Sequence, residues 1–192
     1  KSKILYGLHE TKHAIRENKS AIVVEGYLDF LQLYQSGIHN IVAVSGTAFT
    51  PQHALQLQRF CNDVYIAYDG DPAGRSAAIR AGYVLLRSGV SPFIVNIPEG
   101  LDPDDWVKQN GNGPFLEAVH SCDKLLQYHF KYYTGDINST SGKTAFVNDV
   151  LTEIIQITNP VDRELQGREL SELVGVSHES IFQTIKNMLE KK

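Results

Sequence analysis

The chain has 192 residues and a mass of 21.4 kDa, with 42% hydrophobic and 21% charged residues, which suits one large globular domain or two small ones. No apolar run reaches the length of a membrane span and no signal peptide precedes the first strand, so neither a membrane protein nor an exported one is expected. The net charge of −4 and pI near 6.0 argue against tight nucleic-acid binding by this stretch alone, since phosphate contacts dominate such affinity.

Cys61 and Cys122 lack metal-ligand spacing and read as reduced thiols of a cytosolic protein. Met188 is the only methionine, so a fragment of a longer protein is expected. Apolar positions at Leu5, Leu8 and Ile15 predict a helix over Ile4–Glu17. Strands follow at Ala21–Glu25, Ile41–Val44, Val64–Tyr68 and Phe93–Ile97, all short continuous apolar runs of the kind buried on both faces. Helical segments at Tyr27–Ser36, Pro51–Phe60 and Pro72–Arg87 separate them. The alternation predicts an α/β fold, a parallel sheet with helices on its faces. Gly37 and Gly89 fall where helices need a left-handed C′ residue. Thr50-Pro51, Asp71-Pro72 and Asp102-Pro103 each supply a capping side chain before a first-turn proline.

Beyond Lys108 the breaker-rich stretch QNGNGP (Gln109–Pro114) reads as a linker. Helical periodicity then dominates at Phe115–Val119, Lys124–Tyr133, Lys143–Ile157, Asp162–Val174 and His178–Leu189, with a polar loop at Gly135–Gly142. The predicted organisation is a leading segment over 1–19, an α/β domain over 20–111 and an all-helical subdomain over 112–192.

The chemistry gathers at strand ends. VVEG puts Glu25 at the end of the first strand, with Asp29 one turn into the next helix. YIAYDGD ends the third strand with Asp69 and Asp71, two apart and therefore able to point the same way. DPDD follows the fourth strand with Asp102, Asp104 and Asp105. Capping accounts for Asp71 and Asp102, and first-turn dipole stabilisation for Asp104 and Asp105, but neither accounts for Asp69. Acids at three βα corners of one sheet edge would repel one another unless a hard, oxygen-seeking cation such as Mg²⁺ or Mn²⁺ neutralised them. Ser45-Gly46-Thr47, after the second strand, reads equally as a phosphate-approaching turn or as a plain loop. Arg75 and Arg80 read as phosphate partners, partners of the acids, or solvated side chains. His9 and His13, four apart, lack the neighbouring glutamate of a zinc-protease helix and read as surface residues.

The ordered set of acids resembles the Toprim domain shared by topoisomerases, bacterial primases, recombination proteins and nucleases. The wording VVEGYLD (Val23–Asp29), VSGTA (Val44–Ala48), YDGDPAGRSAA (Tyr68–Ala78) and LDPDDWV (Leu101–Val107) is similar to that of the bacterial replicative primases, and KSKILYGL (Lys1–Leu8) resembles the segment before their Toprim domain. This resemblance implies RNA-primer synthesis by nucleotidyl transfer from NTPs on single-stranded DNA, at the replication fork in the nucleoid. It makes Glu25, Asp69 and Asp71 catalytic, and Glu25, Asp69, Asp71, Asp102, Asp104 and Asp29 metal-binding. It also implies that the zinc-binding module, the basic template-gripping subdomain and the helicase-binding domain lie outside this stretch. No zinc is expected here, and weak or no priming by the piece alone.

Other readings are a Toprim nuclease or topoisomerase, or a non-catalytic interaction module. In a haloacid-dehalogenase-like phosphatase the Ser/Thr motif follows the DxD, whereas Ser45 and Thr47 precede Asp69. Glu169–Ile185 has a helix-turn-helix outline, read here as ordinary helical packing with Ser177 as N-cap.

Overall fold

The computed structural model describes residues 3–191. Contacts divide the chain into two compact units, Lys1–Leu125 and Leu126–Lys192. The first opens with α1 (Leu8–Asn18) and then alternates β1 (Ser20–Val24), α2 (Tyr27–Gln35), β2 (Ile41–Ala43), α3 (Pro51–Leu57), β3 (Asp63–Ile66), α4 (Pro72–Arg87) and β4 (Ser91–Ile94). It closes with α5 (Pro103–Asn110), α6 (Asn112–His120) and β5 (Asp123–Lys124).

The sheet order is β2-β1-β3-β4-β5, with β1 to β4 parallel. Ala21–Val24 of β1 and all of β2 are buried, as continuous apolar runs require of central parallel strands. On one face α2, α5 and α6 pack Phe30, Leu33, Val107 and Phe115 against Ile22, Val24 and Ile41. The sheet differs from expectation at its far side. There β5 pairs antiparallel with β4 through Phe93–Lys124 and Ile94–Asp123, and Asn96 Nδ2 donates to Asp123 Oδ2 at 3.0 Å. Two residues are too few to leave a periodic signal. At the opposite edge, Tyr6 forms an antiparallel bridge with Ala43, so the start of the predicted first helix is extended.

The linker reading of Gln109–Pro114 is corrected. Gln109 and Asn110 finish α5, Asn112 begins α6, and Gly111 alone joins them with φ 73°. The first compact unit consequently runs on to Leu125. The expected caps form as read: Thr50 accepts from His53 N, Asp71 from Gly74 N, Asp102 from Asp105 N and Ser177 from Ser180 N. Gly37 and Gly89 are left-handed, at φ 98° and 74°.

The second unit holds the remainder of α7 (Leu125–Lys131), then α8 (Thr140–Ile154), α9 (Pro160–Val174) and α10 (His178–Glu190). Phe146 anchors it, fully buried among His129, Phe130 and Tyr133 with ring centroids 5.1–5.3 Å away. Edge-to-face packing of this kind adds about 0.5–1.5 kcal/mol per aromatic pair beyond area burial.

Gly70, between the two acids of the DGD corner, has a structural duty other than a left-handed turn. A Cβ there would stand 2.0 Å from the Pro98 carbonyl oxygen, a backbone atom that cannot swing aside. Gly70→Ala is therefore expected to cost about 1–3 kcal/mol through overpacking. In a chain this size that is a fall of roughly 2–10 °C in melting temperature by circular dichroism. An unchanged midpoint would show that the close approach is not a constraint.

Candidate metal centre

The order β2-β1-β3 reverses direction between β1 and β3, and ligands of open parallel sheets sit at that switch point, beyond the strand carboxyl ends. Glu25 leaves β1 there and Asp69 and Asp71 leave β3 there, on neighbouring strands. The corner before α5 brings Asp102, Asp104 and Asp105 to the same edge, since Gly70 N donates to Leu101 O at 2.9 Å. One carboxylate oxygen each from Asp102, Asp104 and Asp105 lie within 4.8 Å of one another. Asp105 belongs to this group geometrically, although its place in the first turn of α5 had offered a sufficient explanation.

Asp29 is buried and holds two corners together. Its Oδ2 accepts from Gly26 N at 2.9 Å, closing the start of α2, and its Oδ1 accepts from Asp104 N at 3.2 Å across the fold. Asp71 and Asp102 each commit one oxygen to a cap, at 2.6 Å to Gly74 N and to Asp105 N respectively. Asp104 Oδ2 receives Lys108 Nζ at 2.6 Å, an i,i+4 pair.

Two oxygens in the centre have no partner. Glu25 Oε1 and Asp104 Oδ1 are buried and accept no hydrogen bond. Buried polar atoms are normally satisfied, so such a pair at one edge calls for a further ligand. The electrostatics agree. Burial, then Asp69, Asp29 and Asp71, push the Glu25 carboxyl up from 4.5 to about 7, with Arg80 opposing. Burial raises Asp29 from 3.8 to about 6 against its two amide bonds. Asp69 is raised by burial and by Asp102 and Asp71. A set of carboxylate oxygens, half-buried and mutually repelling, fits a hard divalent cation and suits softer metals poorly.

Comparison with known proteins agrees with this geometry. A family model described as Toprim-like matches residues 22–107, and one described as the DnaB-helicase binding domain of primase matches residues 129–179. The Toprim-like match lies within the first unit and spans the strand ends that carry Glu25, Asp69, Asp71, Asp102 and Asp104. A DNA primase of Aquifex aeolicus is 38% identical over 167 residues, covering 80% of this chain and 34% of that protein. The crystal structure of a DNA primase domain from Pseudomonas aeruginosa superimposes with a TM-score of 0.83 at 33% identity, covering 96% of this chain and 60% of that one. A structure of the DnaG primase catalytic domain bound to ssDNA gives 0.80 at 31%, covering 93% and 58%. The chain belongs to the DnaG-type bacterial DNA primases. It spans about a third of the length of the curated relatives it matches. The expected helicase partner is in keeping with the match of the helical unit to a model of that description.

The raised carboxyls give the metal-free protein a definite pH response. Between roughly pH 4 and 7 the native state keeps protons on Glu25 and Asp29 that the unfolded chain has released, so stability falls as pH rises through that window. In chelator, the melting temperature is expected to drop from about pH 5 to about pH 8, with Glu25→Gln flattening the drop and melting higher at the alkaline end. A Gln variant that melts lower than its parent at about pH 8 would contradict the repulsive site.

Proposed function

We propose that this chain is the metal-dependent catalytic part of a bacterial DNA primase, a nucleotidyltransferase that makes RNA primers from NTPs on single-stranded DNA. The observation that carries the reading is the meeting of three acidic corners at the switch point, with Glu25 Oε1 and Asp104 Oδ1 buried and unpaired. Glu25, Asp69, Asp71, Asp102 and Asp104 are assigned as the residues that hold Mg²⁺, with Mn²⁺ as its substitute. Asp29 orients them by its two amide bonds. Bound there, Mg²⁺ would supply charge neutralisation for triphosphate and leaving pyrophosphate and would lower the pKa of a primer 3′ hydroxyl.

The protein residues contribute position and charge, and no side chain serves as a nucleophile. Asp71 and Asp102 are fixed by their caps, so their second oxygens enter the edge without further loss of rotamer freedom. Arg80 lies within electrostatic reach of Glu25 and favours its ionised, ligating form. The proposed partners are template, NTPs and primer, together with a replicative helicase reached through the helical unit. The proposed setting is the nucleoid, and among the described residues no helix is long and apolar enough to cross a membrane.

Calorimetry is expected to show Mn²⁺ or Mg²⁺ binding with millimolar or tighter affinity. Asp69→Asn is expected to weaken it by more than the ~10–100-fold that loss of an outer-shell partner costs. Unaltered binding by the variant would remove the metal assignment. In the longer parent protein, Glu25→Gln should abolish primer synthesis on single-stranded DNA, and undiminished priming would exclude the catalytic role.

A further inference from the structure

Tyr68 stands one residue before Asp69, and the metal site as assigned makes no use of it. The parallel ladder of β1 and β3 ends in the pair Val23–Ile66, with Ala67 N donating to Val23 O at 2.9 Å. Two residues further along each chain come Glu25 and Tyr68, and alternation puts their side chains on one side of the sheet. Tyr68 is only 5% exposed, and its hydroxyl is buried without a hydrogen-bond partner. A buried tyrosine ordinarily spends its hydroxyl on an acceptor, so this one calls for a partner. Burial, and then the charge of Glu25, push the phenol well above its ordinary range, so it keeps its proton and remains a donor. The acceptor that matches it lies on that same glutamate, whose Oε1 is buried and accepts no hydrogen bond.

A residue kept only to fill the interior explains the ring but not the hydroxyl, since phenylalanine fills that space with no polar atom to leave unpaired. Glu25 also differs from its neighbours. Backbone amides fix Asp29, Asp71 and Asp102, whereas among the described residues no amide holds the Glu25 carboxylate. We propose that Tyr68 is the positioning residue of Glu25: its hydroxyl donates to the Glu25 carboxylate in the cation-loaded site and fixes the direction in which that carboxylate points. Outer partners of this kind orient metal ligands and raise their basicity. The proposal rests on the metal-site reading above, and it gives the one amide-free acid of the β1 and β3 ends a partner from the adjacent strand.

The 192-residue chain and its Tyr68→Phe variant are melted in chelator and titrated with Mn²⁺ by calorimetry, and their near-ultraviolet difference absorption is followed as Mg²⁺ is added. Removing a hydroxyl that has no partner in the metal-free protein is expected to leave the melting temperature equal to the parent's or above it. Mn²⁺ affinity should fall by ~10–100-fold, the loss typical of an outer-shell partner. On saturation with Mg²⁺ the parent should show a tyrosine red shift, the signature of a phenol donating to a carboxylate, and Tyr68→Phe should lack it. The proposal is overturned if the variant binds Mn²⁺ like the parent, if it keeps the red shift, or if it melts lower in chelator, which would make the hydroxyl part of the structural frame. A parent that binds no Mn²⁺ would sink the metal-site reading and the positioning role with it. A parent that binds Mn²⁺ no better than Tyr68→Phe does would sink the positioning role alone.

Discussion

Like charges crowded into a half-buried crevice set the terms for the first unit of this protein. Glu25, Asp69, Asp71 and Asp102 come from corners far apart in sequence, and folding brings them within electrostatic reach of one another at a cost that burial increases. The fold tolerates the crowding because backbone amides hold several of these carboxylates: Gly74 for Asp71, Asp105 for Asp102, and Gly26 and Asp104 for Asp29. Each amide bond fixes the direction of its carboxylate. The amides leave Glu25 Oε1 and Asp104 Oδ1 unsatisfied, and the proposed cation site rests on these two oxygens.

Most of this arrangement is legible in the sequence, for physical reasons. A strand buried on both faces must be a continuous apolar run, so the four parallel strands stand out, and an Asp-Pro or Thr-Pro pair marks a helix start through local chemistry alone. The acids at the ends of β1 and β3 follow once the strands are placed. What stayed hidden depends on contacts between distant residues. The two-residue β5 exists only because β4 offers it an edge, and the run QNGNGP is helical on either side of Gly111 despite its breaker composition. Likewise the Asp29–Asp104 bond spans the fold between positions 75 residues apart, so sequence spacing places Asp29 on a nearby face without showing that its oxygens are taken by amides.

The helical unit is a different case. Its periodicity and the Ser177 cap are plain in the sequence, but among its described residues no group of metal-ligating side chains distinguishes it. Its packing around Phe146, and the small Gly167 that lets α9 approach Ile185 of α10, describe a well-formed bundle whose meaning comes from the family it matches. Catalytic chemistry writes itself into residue types, whereas a docking function is written in surface shape, which a linear pattern conveys poorly.

Both borders of the sheet are shielded by short pieces of chain outside the predicted α/β domain of residues 20–111. Tyr6 covers β2 by its bridge to Ala43, and β5 covers β4. An unprotected strand border is a template for adhesion to other chains, and proteins ordinarily blunt it. A version of this domain with both borders closed therefore reaches from Tyr6 to Lys124, past the acidic corners at either end, and a swap or graft between relatives keeps its borders closed only if it carries both shields.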